Sequence, residues 1–288
     1  MIELIIDKRS RDLGGGFEVG RVLPFARRRM VGPFIFFDQM GPVDFEPGIA
    51  RELDVRPHPH IGLSTVTYLY SGAMTHRDSL GFKQEIKPGA VNWMTAGKGI
   101  THSERLEHAR MHGAHMHGIQ AWVALPNEDE ETDPAFWHHP ASSLPVWSEK
   151  GLRGRMIAGA AEGMDAGVRV NSPLFYMHWD MDAGSSRAVP SDHPERAVYL
   201  TEGAIEVDGV ALKPGQMAVL GKGDVRVSAQ TPSTVMVLGG VPVGERFIFW
   251  NFVSSSKDRL EQAKEDWIQG RMKMPDGDDF EKSPMPAV

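Results

Sequence analysis

Along most of the chain, apolar and polar residues alternate with a period of two, not 3.6. The runs STVTYLY (64–70), KQEIKPGAVNWM (83–94), GIQAWVAL (118–125), AVYLTEGAIEVDGVALKPGQMAVL (197–220) and STVMVLGG (233–240) are short and rich in β-branched and aromatic residues. Gly, Pro and Asp turns break them at short intervals, and the 31 Gly and 20 Pro suit many tight turns. This pattern predicts an all-β sandwich or barrel. SSSKDRLEQAKEDWIQG (254–270) is different. There Leu260, Ala263 and Trp267 share one helical face, Ser255 with Asp258 resembles a capping box, and Gly270 is a natural stop. A helix over about 255–269, packed on a barrel, is expected, with 271–288 a loosely held tail.

The alternating segments repeat. TYLYSGAMTH (67–76) aligns with VYLTEGAIEV (198–207), and IKPGAVNWMTAGKG (86–99) aligns with LKPGQMAVLGKG (212–223) across a two-residue gap. Such a repeat predicts two copies of one small β-barrel, at roughly 25–130 and 165–245. The expected division is a first domain over 1–133, a linker over 134–164 and a second domain over 165–288 that includes the helix and tail.

Composition narrows the chemistry. The chain has 288 residues and a net charge of -7, which gives no reason to expect direct contact with nucleic acid. With no cysteine, disulfides, thiolate metal sites and cysteine catalysis are excluded. No apolar run is long enough for a membrane span, and the N-terminal segment lacks a signal peptide's apolar core, so a cytoplasmic protein is expected. No G-x-S-x-G elbow appears, and DLGGGFEVG (12–20) opens no helix after a strand, which argues against phosphate binding there.

The candidate chemistry lies in two pairs. His58 and His60 are spaced i,i+2 in RPHPHIG, and His102 and Glu104 are spaced the same way in GITHSER. On strands each pair projects to one face. If the two strands are neighbours, three imidazoles and a carboxylate converge as ligands suited to a divalent first-row metal. The repeat aligns Val189, Ser191, Arg226 and Ser228 with these four positions, so the second barrel is expected to bind none. His108, His112, His115 and His117 form a glycine-interrupted cluster that reads as a solvated loop entering the next strand. His76 reads as a hairpin-end histidine bonded to Asp78 or to backbone; His138, His139, His178 and His193 have no comparable partners.

GPFIFFDQMGPV (32–43), HPHIGLSTVTYLYSG (58–72), THRDSLG (75–81), IKPGAVNWMTAGKGITHSE (86–104) and FWNFVSSSKDRLEQAKEDW (249–267) resemble the pirin family of the cupin superfamily. The resemblance implies a bicupin of two facing antiparallel jelly-roll barrels with a C-terminal helix. It implies one metal ion, in the N-terminal barrel only, held by His58, His60, His102 and Glu104. That metal is usually Fe(II), with Zn, Ni, Mn, Co or Cu able to occupy the site in isolated protein. Many pirins carry Glu shortly after the histidine pair, where this chain has Ser64. Two functions follow from the family. One is quercetin 2,3-dioxygenase-type cleavage of a flavonol or related aromatic with O2, with Glu104 as catalytic base. The other is an iron-dependent redox-sensing role in which the protein binds a transcription factor or metabolic enzyme. The enzyme reading is preferred, and a monomer is expected because paired barrels bury their own apolar faces.

Overall fold

The computed structural model describes residues 1–13 and 16–286; Gly14 and Gly15 of the glycine-rich stretch, and Ala287 and Val288 at the end of the expected tail, lie outside the described residues. The fold is mostly β, as the alternation predicts, with antiparallel sheets and one long helix near the C-terminus. Among the described residues no helix is long and apolar enough to cross a membrane.

The chain forms two compact units, and neither is contiguous. One comprises Met1–Ser10, Gly20–Gln39 and Ser142–Val243; the other comprises Arg11–Val19, Met40–Ala141 and Gly244–Val288. The expected contiguous domains, 1–133 and 165–288, therefore exchange their ends. The strand Ile2–Asp7 pairs with Gln216–Leu220 in the unit built on the second repeat. The C-terminal helix belongs to the unit built on the first. Residues 134–164 also carry paired structure: Ala135–His139 pairs with Val91–Thr95 in the helix-bearing unit, and Val146–Glu149 pairs with Leu152–Ala161 in the other.

The repeat is visible bond by bond. Gly72 and Gly203, aligned in sequence, turn with φ of 81° and 89°, a region open to glycine at little cost. Gly89 N–H donates to Leu69 O at 2.9 Å, and Gly215 N–H donates to Leu200 O at 2.7 Å. The strand orders match too. In the helix-bearing unit, Val91–Thr95, Leu63–Ser71 and Ala114–Ala124 lie side by side, as Gln216–Leu220, Glu195–Glu202 and Ser233–Gly240 do in the other. Each unit adds a four-stranded sheet of equal order. One runs Val55–His60, Ile100–Arg105, Met74–Asp78, Lys83–Ile86, and the other Ser186–Ala188, Arg226–Ala229, Ile205–Val207, Val210–Leu212.

The cores follow from the same alternation. Phe17, Met40, Leu69, Met74, Ile86, Leu106 and Met116 cluster in the helix-bearing unit. In the other, Phe37 packs edge-on against Tyr199 at 5.0 Å, and Phe34 is tilted on Tyr176 at 5.5 Å. The helix Lys257–Ile268 buries the expected face, Leu260, Ala263 and Trp267, against Ile61 and Phe252. Burial of Leu260 alone contributes about 1.5–3 kcal/mol. The cap differs from expectation: Ser256, not Ser255, accepts the N–H of Arg259. Ser255 is drawn away, because its N–H and hydroxyl both donate to Glu130, which also pairs with buried Arg246 at 2.7 Å. The tail is held rather than loose. Asp278, 2% exposed, takes the guanidinium of Arg105, and Ser283 N–H donates to Pro57 O.

Candidate metal centre

The two histidine-bearing strands are neighbours. Val55–His60 runs antiparallel to Ile100–Arg105 with His58 opposite His102. On its other side Ile100–Arg105 pairs with Met74–Asp78, placing Glu104 opposite His76. Pro57 and Pro59 cannot donate to a ladder, and they sit on the edge strand of this sheet, where that costs least. Alternation then turns both prolines to one face and both histidines to the other.

His58, His60 and His102, exposed by 7%, 1% and 1%, bring one ligand nitrogen each to within 4.8 Å of one another. Their tautomers follow from their partners. A carbonyl oxygen only accepts, so His58 donates from Nδ1 to Arg56 O at 2.8 Å, and His60 donates from Nδ1 to Asn251 O at 3.0 Å. His76 Nε2 donates to Asp78 Oδ2 at 2.8 Å, which leaves its Nδ1 as acceptor for the Nδ1–H of His102 at 3.3 Å. In that tautomer all three Nε2 atoms carry lone pairs. The Nε2 atoms of His60 and His102 lie 3.1 Å apart with no proton to share. A cation resolves that contact, so the donor set fits a divalent metal ion, and the carbonyl and His76–Asp78 partners orient it as outer partners orient ligating imidazoles.

Burial sets the charge state. It pushes His58 down to about 4, and burial with the neighbouring imidazoles pushes His60 and His102 well below the usual histidine range. The three imidazoles are therefore neutral at pH 7. Burial pushes Glu104 the other way, up to about 7, slightly offset by the Thr67 hydroxyl at 3.5 Å. Glu104 is 8% exposed and stands outside the group of mutually close ligand atoms.

The larger sheet closes over these strands. Gln120, Thr67, Asn92 and His138 stand side by side on four adjacent strands, and Trp122, Thr65, Met94 and Phe136 form the next row on the same face. Thr67 Oγ1 donates to Gln120 Oε1 at 2.8 Å, and His138 Nδ1 meets Asn92 Oδ1 at 2.7 Å. Trp122 meets the His60 ring at 5.0 Å, and Phe136 stacks on His76 at 4.3 Å. The site thus has a polar row beside one that ends in two aromatic rings, Trp122 and Phe136. Sequence reasoning alone names His138 without a partner and gives none of the others a definite role. The alternation in GIQAWVAL is the available signal, since it places Gln120 and Trp122 on one face.

The rival histidines do not converge. His108 and His112 face each other at 5.1 Å on a short helix, Glu107–His112, in place of the expected loop. His115 pairs with Asp44, and His117 lies against Tyr70. His76 bonds Asp78 as expected. His178 pairs with Asp180, and His193 bonds Ala160 O. In the other unit, the paired strands Ser186–Ala188 and Arg226–Ala229 carry neither imidazole nor carboxylate.

Comparison with known proteins agrees with this architecture. The family profile "Pirin" matches residues 16–123, and "Pirin C-terminal cupin domain" matches 176–273. A pirin-like protein of Caulobacter vibrioides is 59% identical over 288 residues, 99% of this chain and 100% of its own length. A Pseudomonas aeruginosa protein with a provisional name as a quercetin 2,3-dioxygenase is 41% identical over 92% of this chain and 83% of its own. The crystal structure of a quercetin 2,3-dioxygenase from Acinetobacter baumannii superposes with a TM-score of 0.90, 34% identity, and coverage of 99% of this chain and 94% of its own. A bacterial pirin from Escherichia coli, solved in complex with nickel(II), shares the fold at a TM-score of 0.64 and 17% identity, covering 84% of this chain and 100% of its own.

Proposed function

The chain belongs to the pirin family, and on that premise we propose that it is a mononuclear, metal-dependent dioxygenase of the quercetin 2,3-dioxygenase type, opening a flavonol or related aromatic with O2. One observation carries the reading: three buried imidazoles bring one ligand nitrogen each to within 4.8 Å of one another. The similarity to quercetin 2,3-dioxygenase in sequence and fold supports the substrate class.

In this proposal His58, His60 and His102 hold the ion, Glu104 completes the set, and the resident metal is Fe(II). The bound ion supplies Lewis acidity and redox capacity toward O2. The remaining roles belong to side chains. Trp122 and Phe136 offer ring faces to a planar substrate, and the row from Gln120 to His138 offers hydrogen bonds to its hydroxyl groups. A carboxylate oxygen of Glu104 takes the proton of the flavonol 3-hydroxyl. Glu104 is suited to that task as the one carboxylate among the four residues. The substrate then loses its central ring carbon as carbon monoxide while both oxygen atoms enter the opened product.

Oxygen uptake with quercetin tests the reading, using protein stripped of metal and reloaded with ferrous iron beside a His58→Ala control. Uptake that needs both iron and His58 is expected. No uptake by protein that still binds iron tightly at this site would overturn the oxygenase reading in favour of a redox-sensing binding protein.

A further inference from the structure

A pocket of about 290 Å³ lies between the start of the strand Ile100–Arg105 and the C-terminal helix. It is separate from the metal centre. Thr101 lines it, and alternation turns Thr101 to the opposite face from His102. We propose that this pocket is a binding site for a small organic carboxylate, an acid carrying a short apolar or aromatic body.

The lining has two chemistries. Its floor is apolar: Ile61 and Ala263 line it, each 1% exposed, with Met272 beside them. Its remaining charged groups are Lys98, Arg259, Arg271 and Lys273 against a single carboxylate, Asp266. Only Arg271 spends its pairing on that carboxylate, at 2.7 Å. The others are positioned by acids that do not line the pocket: Lys98 by Asp133, Arg259 by Glu131 and Lys273 by Asp276.

Arg259 is the anchor. Its Nε donates to Glu131 at 2.8 Å and its Nη2 to Lys98 O at 2.7 Å, which fixes the guanidinium plane. Its Nη1 is buried and has no partner, a donor that a bound carboxylate oxygen would satisfy. Ser79 adds a hydroxyl that accepts from Thr101 N–H at 3.2 Å and keeps its own proton to donate. Cationic side chains above an apolar floor select an anion with a hydrophobic body. Inorganic phosphate would leave the floor unused, and a neutral ring would leave Arg259 unmet.

Calorimetric titration of the full-length, metal-loaded protein with benzoate, benzamide and inorganic phosphate tests this. Saturable one-to-one binding of benzoate is expected, with benzamide and phosphate much weaker. Loss of a charge-assisted hydrogen bond predicts that Arg259→Gln weakens benzoate by about tenfold or more. Lys273→Ala, at a 62%-exposed side chain that folding does not depend on, should weaken it in the same direction. His58→Asn should leave benzoate binding intact. Benzoate binding lost in His58→Asn but kept in Arg259→Gln would place the acid on the metal and overturn the proposal. So would equal binding of benzamide, tighter binding of phosphate, or no benzoate binding.

Discussion

Replacing Asp278 by Ala should loosen the metal centre from behind. Arg105 follows the candidate ligand Glu104 in sequence and is 2% exposed. Its Nε donates to Asp278 Oδ2 at 2.8 Å and its Nη2 to Asp278 Oδ1 at 2.5 Å, while Ser103 Oγ donates to the same carboxylate. Ser103 and Arg105 alternate with His102 and Glu104, so the tail grips the reverse face of the strand that presents two candidate ligands. Removing one partner of a buried ion pair costs about 3–5 kcal/mol, because a desolvated charge is left behind. Here Glu281 at 3.0 Å and Asp54 at 3.5 Å still face Arg105, so the lower end, about 3 kcal/mol, is expected. Urea unfolding of the metal-free protein, followed by tryptophan fluorescence, measures it. Arg105→Met combined with Asp278→Leu should recover only part of the loss, since buried Asp54 then keeps Arg110 alone as its partner. Metal affinity of Asp278→Ala should fall by roughly tenfold, the range for disturbing a ligand's support. A loss below about 0.5 kcal/mol with unchanged metal affinity would show that the tail does not hold this strand.

Other outcomes follow from the same geometry. In the metal-free protein, His58 is pushed from 6.5 to about 4, so only the unfolded chain protonates it in that window; acidification from pH 7 to 4 should cost wild type about 3 kcal/mol more than His58→Asn, read from urea midpoints at the two pH values. Glu104 carries the opposite sign: raised from 4.5 to about 7, it destabilises the metal-free fold progressively as pH rises from 4.5 to 7, so Glu104→Gln should be about 3 kcal/mol more stable than wild type at pH 8 and equal near pH 4. If Glu104 is the base, the same variant loaded with metal should lose most turnover while keeping part of its metal, checked by metal analysis beside oxygen uptake. Gly62→Ala puts a Cβ 2.0 Å from Val253 O at a φ of +67°, so it should cost about 3 kcal/mol or more in a thermal or urea melt.

How far the sequence reaches depends on how local each signal is. Alternation of period two determines which side chains of a strand share a face, so the pairing of His58 with His60 and of His102 with Glu104 is legible in the order of residues alone. A period of 3.6 likewise determines that Leu260, Ala263 and Trp267 are the buried face of the helix. The repeat determines the turns at Gly89 and Gly215, because the aligned Pro-Gly pairs set the same turn in both copies. The tertiary structure decides what these local units meet. It brings Asn251 to His60 across 191 residues and Asp278 to Arg105 across 173, and it exchanges the two chain ends between the units. It moves the helix cap from Ser255 to Ser256 because Glu130 claims Ser255. No period along the chain encodes such partners. A periodic signal states which face is buried, whereas the buried partner depends on how the sheets close, so the candidate metal ligands are readable in sequence and the groups that orient them are not.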